Sequence, residues 1–257
     1  MPPALRVLGA TRTRWPDVPQ VACLDTAFFV DLPEVDRRLP IPEDLHRHGV
    51  RRYGFHGLSY EYVTGHVAAE RAGDGGLPRR TVVAHLGGGA SLCALLDGRP
   101  VHTTMGLTPT GGLVMGTRTG DLDPGVVLHL LRAERLSPDE VEQIVEHESG
   151  LLALSGGPGR GTGDEAELEA RRPGDPEAAF AIDVFVRSVA MAVAAATAVL
   201  EGLDLLVFTG GIGEHSAEVR SEVEARLAHL RTFDVQVVET DEESVMARHA
   251  LALAYRG

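Results

Sequence analysis

The chain has 257 residues and a formal net charge of −13, with 44% hydrophobic and 24% charged residues. That length suffices for one large or two modest domains, and the composition is ordinary for a globular protein. A surface this acidic repels phosphate backbones, so we expect no nucleic-acid partner, although a local pocket can still bind a small phosphorylated ligand.

The sequence predicts a cytoplasmic protein without a membrane partner. Cys23 and Cys93 are isolated in apolar runs and are expected to be buried thiols in a reducing compartment. Residues 1–10 lack the charged head and apolar run of a signal peptide. The most apolar stretch, residues 180–200, carries Asp183 and Arg187, so we expect a buried helix there.

In chain order, the pattern predicts strands that alternate with helices and include one hairpin. The first half is expected to contain a strand at 21–24 that ends at Asp25, a loop at 31–50, a helix at 58–72, strands at 81–86, 91–96 and 100–104, and a long loop at 107–124. The second half is expected to contain a helix capped by Ser137 and Glu140, a glycine-rich loop at 156–163, a helix from Asp175 to about Leu200, a strand at 203–208, a turn at 210–213, a helix at 216–229, a strand at 235–238 and a last helix capped at 240–243. This order indicates an α/β layered fold.

The first chemical motif is His85-Leu-Gly-Gly-Gly-Ala-Ser91, in which one strand runs through three glycines into the next. Without Cβ atoms, backbone N–H groups can approach and surround a phosphate. An ordinary hairpin turn is the alternative, and the motif alone does not decide between the two.

The second motif is Thr209-Gly-Gly-Ile-Gly-Glu214, between a buried strand and a helix. Free N–H groups and the helix dipole at such a turn favour anions. The alternative is a tight turn that needs glycine for packing. The spacing matches neither the dinucleotide fingerprint nor the Walker loop.

Single charged residues complete the candidate site. Arg118 lies among glycines and suits planar oxyanions, although an internal salt bridge to Asp121 or Asp123 is a real competitor. His56, between Phe and Gly, could equally be a core histidine, and Asp25 could be only a cap or turn residue.

Taken together, these motifs resemble the acetate kinase family in order and approximate spacing, from about Trp15 to about Ala250. The matching segments are 16–28, 51–57 (Arg-Arg-Tyr-Gly-Phe-His-Gly), 85–91, 105–109 (Met-Gly-Leu-Thr-Pro), 116–124 (Gly-Thr-Arg-Thr-Gly-Asp-Leu-Asp-Pro), 149–152 and 209–214. The resemblance implies the superfamily of acetate and sugar kinases, Hsc70 and actin, with a ribonuclease-H-like core in which helices flank a mixed sheet. It also implies a homodimer and reversible, Mg²⁺-dependent phosphoryl transfer from ATP to acetate, giving acetyl phosphate and ADP.

The resemblance implies a role for each matching residue. Asp25 matches the family's active-site aspartate at the acyl group, and His56 and Arg118 match the residues that stabilise the transferring phosphoryl group. Glu242 matches the acidic residue that helps to hold Mg²⁺. The phosphate hairpin is matched by His85, Leu86, Gly87, Gly88 and Gly89, and the nucleotide loop by Gly210, Gly211, Ile212, Gly213 and Glu214.

The beginning of the chain departs from the family pattern. Residues 1–20 match only the stretch before Asp25, and the family's first strand, its phosphate loop and its substrate-binding arginine have no counterpart. We therefore expect residues 1–25 and 241–257 to be remnants of the family's first domain. Residues 26–240 are expected to form its second domain, with the phosphate hairpin and the nucleotide loop.

Smaller departures lie near the predicted site. Phe29 and Tyr60 stand where the family usually has histidine, Leu58 replaces a threonine, and Gly88 replaces the asparagine of the hairpin. Asp164 matches the aspartate of the family's nucleotide-binding Asp-Met-Arg segment, but no arginine follows at the expected place.

The sequence leaves three functions open. The leading prediction is an acetate kinase whose activity is impaired in this chain, with transfer to acetate very slow or absent, because the family's phosphate loop and substrate-binding arginine have no counterpart. A remnant that binds nucleotide or dimerises without catalysis is the second, and a propionate or butyrate kinase is the third, because three glycines in the hairpin also fit butyrate kinases.

Overall fold

A computed structural model describes residues 3–254 and centres on a five-stranded sheet in the order β3-β2-β1-β4-β5. The strands are β1 (Arg80–Leu86), β2 (Ala90–Leu96), β3 (Arg99–Thr103), β4 (Leu205–Thr209) and β5 (Asp234–Val237). β1, β2 and β3 form an antiparallel meander, whereas β4 is parallel to β1 and β5 is parallel to β4. The sheet is therefore mixed, as the ribonuclease-H-like prediction requires.

The described residues also contain twelve α-helices. They are α1 (Pro3–Arg14), α2 (Glu34–Arg37), α3 (Glu43–Arg47), α4 (Gly57–Glu70), α5 (Pro124–Arg132), α6 (Pro138–His147), α7 (Gly150–Leu154), α8 (Glu165–Arg171), α9 (Pro176–Leu200), α10 (Gly210–His215), α11 (Ala217–Leu227) and α12 (Glu242–Ala254). Two 3₁₀ turns, Asp25–Phe29 and Ala72–Asp74, complete the regular structure.

Both faces of the sheet are covered, because side chains alternate along each strand. Val82, Ala84 and Leu86 of β1 face a large core that includes α9 and α11. Val83, between them, faces a smaller core with α4 and the 3₁₀ turn Asp25–Phe29. Burial on both faces explains why β1 and β4 read as continuous apolar runs.

α9 is long and apolar enough, by length and composition, to cross a membrane. Here it lies on β1 and β2 and buries a stripe that includes Phe185, Val189 and Val193 in the larger core. Its start is fixed by Asp175, whose carboxylate accepts hydrogen bonds from the N–H groups of Glu177 and Ala178. The predicted buried helix is confirmed.

Several local predictions were wrong. Residues 21–24 form no strand, and no described strand lies beside them to complete a ladder. The loop at 31–50 contains α2 and α3, each preceded by proline and opened by glutamate. Residues 210–213 are the first turn of α10 rather than an isolated turn.

Two further corrections concern the chain termini and the cysteines. Asp241, not Thr240, caps α12 by accepting a hydrogen bond from Ser244 N at 2.9 Å. Cys93 is buried as predicted, whereas Cys23 is only partly buried. Residues 1–2 and 255–257 of the two predicted remnants lie outside the described residues.

Candidate functional site

The two glycine motifs meet at one edge of the sheet. β1 and β4 are parallel neighbours with His85 opposite Thr209, so the loops that follow them emerge side by side. A Cβ on Gly87 would lie 3.7 Å from Gly211 N. Gly210 has a φ of +75°, and a Cβ there would lie 2.7 Å from the carbonyl oxygen of Leu86. The close approach of the two loops thus requires glycine at position 210.

A cleft of about 790 Å³ opens between these loops and the start of α8. Its glycine end is formed by Gly87, Gly88 and Gly211, and the opposite end carries acidic side chains. The lining residues are Gly87, Gly88, Gly163, Asp164, Glu165, Ala166, Glu169, Gly211, Ile212, His215, Ser216 and Glu218. Since the acidic end repels phosphate, an anionic group fits the glycine end.

Not every predicted residue of these loops lines the cleft. Leu86 is fully buried in the larger core, so only its backbone can serve a ligand. Glu214 braces the second loop, because its Oε1 accepts hydrogen bonds from Gly210 N at 2.8 Å and Thr240 N at 3.1 Å. Among the contacts of the described residues, the carboxylate of Glu214 thus ties the second loop to the segment before α12.

His56 and His85 stack beneath the hairpin, with ring centroids 4.2 Å apart. His56 precedes α4 and has a φ of +58°, which is uncommon for a residue other than glycine. His56 Nδ1 lies 2.9 Å from Ser91 Oγ, and His85 Nδ1 lies 2.8 Å from Ser59 Oγ. Each ring is therefore held by a serine hydroxyl.

Two cationic or donor groups converge on the hairpin. A Cβ built on Gly89 would lie 3.2 Å from His56 Nε2 and 3.4 Å from Arg118 Nη1. The structure thus brings together three predicted site residues that are far apart in sequence. Beside Gly89 the Arg118 guanidinium offers N–H donors, and His56 offers a ring nitrogen.

The alternative salt bridge of Arg118 is absent among the ion pairs of residues 3–254. Arg118 Nη1 instead faces the carbonyl oxygen of Pro109 at 3.4 Å. Asp121 accepts a hydrogen bond from Gly112 N at 2.8 Å, and Asp123 accepts one from Gly125 N at 2.9 Å at the start of α5. The guanidinium therefore keeps donors free for a ligand.

Burial sets the charge of the stacked histidines. Desolvation, with the nearby His56 ring, lowers the pKa of His85 to about 3. The pKa of His56 is also lowered, mainly by desolvation and further by Arg118, while the Asp25 carboxylate opposes the shift. Both rings are accordingly neutral at physiological pH.

Asp25 and Glu242 come from elements outside the sheet, the 3₁₀ turn Asp25–Phe29 and the first residue of α12. A Cβ on Gly57 would lie 1.8 Å from the carbonyl oxygen of Asp25, so α4 begins in direct contact with the aspartate. The Asp25 carboxylate accepts a hydrogen bond from Leu58 N at 3.4 Å. Desolvation and the charge of Asp25 raise the pKa of Glu242, which places these two carboxylates within electrostatic range of each other.

Asp25 and Glu242 are the candidate ligands for the predicted Mg²⁺ ion. Within residues 3–254 there is no group of three or more histidine, cysteine or acidic side chains that could hold an ion alone. Mg²⁺ typically uses one or two carboxylates together with substrate phosphates and water. Asp25 and Glu242, whose charges interact, are two candidate ligands of that kind.

Sequence reasoning missed Ser59, Ser91 and the role of Tyr60. Ser91 lies in a strand that is otherwise apolar, and a serine in a buried strand is a signal for a partnered polar group. The partner could not be identified because α4 and β2 meet only in the folded chain.

The fold places the chain among α/β proteins whose glycine loops emerge at the ends of neighbouring parallel strands. The model of the acetokinase family matches residues 1–251. The chain belongs to the acetokinase family.

Similar relatives include the acetate kinases of Rhodopseudomonas palustris (45% identity over 94% of this chain and 65% of the relative) and Pseudomonas aeruginosa (46% identity over 92% and 58%). This chain therefore spans about three fifths to two thirds of those relatives. Similar solved structures include a propionate kinase from Francisella tularensis (TM-score 0.86, 34% identity, 93% of this chain and 66% of that one). Another is the Porphyromonas gingivalis acetate kinase (TM-score 0.85, 34% identity, 97% and 68%).

Proposed function

We propose that the protein is an acetate kinase that transfers the γ-phosphoryl group of ATP to acetate, reversibly, giving acetyl phosphate and ADP. The observation that carries this proposal is the convergence of His56 Nε2 and Arg118 Nη1 on Gly89 at the open end of the hairpin. A phosphoryl-transfer transition state spreads negative charge over its equatorial oxygens. Two fixed N–H donors on one such group supply the stabilisation that this reaction needs.

The remaining residues take the roles that the resemblance to the acetate kinase family implies. Gly87 to Gly89 and Gly210 to Gly213 hold the nucleotide phosphates, and the acidic end of the cleft receives the part of the nucleotide that carries donors. Asp25 lies at the acyl group. Glu242, near Asp25, helps to hold Mg²⁺, which neutralises phosphate charge when it is bound.

Propionate is a second candidate acceptor. Support comes from the likeness to the Francisella tularensis propionate kinase. Phe29, which replaces the usual family histidine, is buried at 3% exposure and packs edge-on against Tyr60 with centroids 5.9 Å apart. A buried aromatic ring near Asp25 favours an acyl group with a longer apolar chain.

We also propose a cytoplasmic homodimer that uses neither nucleic acid nor membrane as a partner. The net charge of −13 opposes binding to anionic polymers. Phe180, Met191 and Val199 of α9 are 57%, 61% and 50% exposed and form an apolar face that a second copy could cover. Light scattering across concentrations measures the assembly, and a monomer at every concentration would contradict the homodimer.

The experiment that tests the function has two independent readouts. Calorimetry with ADP and Mg²⁺ measures nucleotide binding by the purified chain, and a coupled assay measures transfer from ATP to acetate, propionate and butyrate. We expect weak nucleotide binding and at most slow turnover, with acetate as the preferred acid. Binding without turnover on any acid would favour the non-catalytic alternative, and the ratio of kcat/KM values decides between the acids.

A further inference from the structure

A chain of two buried hydroxyl groups reaches His56 from the side away from Gly89. Ser91 Oγ lies 2.9 Å from His56 Nδ1, and the Tyr60 hydroxyl contacts the same Ser91 Oγ. Tyr60 and Ser91 are both 0% exposed. Among the hydrogen bonds of residues 3–254, neither hydroxyl has any other partner. The three groups therefore form an isolated series of hydrogen bonds that ends at Nδ1 of His56. The other ring nitrogen, Nε2, takes no part in it.

The lack of other partners fixes the direction of these hydrogen bonds. The buried Tyr60 O–H can donate only to Ser91 Oγ, and leaving it unmade costs about 1–3 kcal/mol. The Ser91 O–H can then donate only to His56 Nδ1. Only when Nδ1 of His56 is unprotonated do both hydroxyl hydrogens have an acceptor. A proton on Nδ1 would leave one of them without an acceptor.

We propose that Tyr60 and Ser91 are positioning residues that hold neutral His56 with its proton on Nε2. That N–H then points toward Gly89, where it donates to an anionic oxygen. The donation to an anionic oxygen rests on the proposed function, whereas the assignment of the tautomer does not. Without the two hydroxyls, His56 would present either an N–H or a lone pair to the same place, and a lone pair repels an anion.

The protonation states of Tyr60 and His56 favour the same tautomer of His56. Burial raises the pKa of Tyr60 well above its ordinary value, so the phenol keeps its proton and acts as a donor. The lowered pKa of His56 keeps its ring neutral, so that the tautomer decides what Nε2 offers.

A second series of hydrogen bonds, with the same order of donors and acceptors, holds the ring of His85, which stacks on His56. Thr240 Oγ1 donates to Ser59 Oγ at 3.0 Å, and Ser59 Oγ lies 2.8 Å from His85 Nδ1. Two stacked rings thus each have a serine at Nδ1, and each serine accepts from another hydroxyl. For both rings the consistent direction leaves the proton on Nε2.

Nitrogen NMR of the ligand-free full chain, with ¹⁵N-labelled histidine, tests the proposal. The signals of a protonated and an unprotonated ring nitrogen are well separated, and loss of a spin system in His56→Gln assigns His56. The informative variant is Tyr60→Phe/Ser91→Ala, since removing both hydroxyls leaves no hydroxyl hydrogen without an acceptor in the core. Tyr53→Phe is the matched control, because its hydroxyl donates to the carbonyl of Gly49 at 2.9 Å, away from His56.

We expect His56 in the natural chain, and in Tyr53→Phe, to show a protonated Nε2 and an unprotonated Nδ1. In the double variant the two signals should move toward each other as both tautomers become populated, and Tyr60→Phe alone should shift them less. A protonated Nδ1 in the natural chain, or an unchanged pattern in the folded double variant, would overturn the proposal. Because no substrate is present, failure of the kinase assay leaves this result intact, and the reverse also holds.

Discussion

The two sides of the site are built differently. On the sheet side, His85, Gly87 and Gly210 continue from β1 and β4, whose side chains are almost all buried. On the other side, Asp25 follows an irregular segment in which Leu24 is 63% exposed, and Leu253 of α12 beside it is 54% exposed. An apolar cavity of about 320 Å³ lies between that segment and α12. The contrast indicates that the sheet fixes the groups proposed to bind phosphate, whereas Asp25 depends on a few local contacts.

We therefore expect the hairpin between β1 and β2 to be more rigid than the segment around Asp25. Local opening free energies follow buried contacts, so the segment around Asp25 should exchange its amide hydrogens before the hairpin does. The contact that joins the two sides is the start of α4, where His56 belongs to the sheet side and Gly57 touches Asp25.

The largest expected effect concerns the sheet side. If the proposed reaction occurs, Arg118→Ala should lower kcat by about a hundredfold, as the removal of one transition-state donor typically does. The guanidinium is held by loop contacts rather than by a carboxylate, so the fold should be retained. A coupled assay measures the effect, and Arg132→Ala on the exposed face of α5 serves as the control.

An unchanged kcat in Arg118→Ala would contradict the proposed convergence on Gly89. Arg118→Lys sharpens the test further. Lysine restores the charge without the planar fork, so it should recover only part of the lost rate.

The next effect concerns the junction between the two sides. Gly57→Ala forces a Cβ to within 1.8 Å of the Asp25 carbonyl oxygen, so one side must move. We expect the free energy of unfolding to fall by about 1–3 kcal/mol, because overpacking a tight contact has that cost. Denaturant unfolding measures it.

Gly65→Ala in the same helix is the matched control, since a Cβ there meets nothing within 4 Å. It should be neutral or stabilise the chain by up to about 1 kcal/mol, because alanine is the better helix former. Equal destabilisation by both variants would show that α4 as a whole, rather than its contact with Asp25, is sensitive.

A smaller effect arises from the neutral His85. Its folded-state pKa of about 3 lies below the ordinary value of 6.5, so the unfolded chain binds the extra proton as pH falls. The contribution of His85 to stability is therefore complete above pH 6.5 and is lost progressively below it. The expected slope is at most about 1.4 kcal/mol per pH unit for one proton.

Unfolding of the natural chain and of His85→Gln between pH 6.5 and 5 measures this slope. The free energy of unfolding should depend less steeply on pH in the variant. From pH 7.5 to 8.5 the curves of the two proteins should be parallel. Parallel curves in the acidic window as well would mean that His85 is solvated in the folded state.

The sequence predicted these two sides unequally. Glycine triplets between strands and the capping box at Ser137 are local signals, and the structure confirmed the hairpin and the helix they predicted. The strand at 21–24 was predicted from apolar composition alone, and a strand needs a partner that composition does not provide. The two series of hydrogen bonds through Tyr60 and Ser59 depend on where α4 meets β2 and β1, so no local pattern contains them.

The smallest effect tests the predicted metal on the Asp25 side. The charge of Asp25 and burial raise the pKa of Glu242, which means that its charged form is disfavoured in the folded chain. Glu242→Gln should therefore stabilise the metal-free chain at neutral pH. A bound Mg²⁺ would relieve the same repulsion, so the natural chain should gain about 0.4 kcal/mol of stability when the Mg²⁺ concentration equals its Kd.

The gain should disappear in Glu242→Gln and persist in Glu243→Gln, whose side chain is exposed on the same helix. Thermal unfolding with and without MgCl₂ at constant ionic strength measures both variants, with KCl as the balancing salt so that screening is matched. If Mg²⁺ stabilises all three chains equally, the ion binds elsewhere or acts only through screening. Loss of the gain in Glu242→Gln alone would instead show that the Glu242 carboxylate, at the start of α12 and within the electrostatic influence of Asp25, would help to hold the ion.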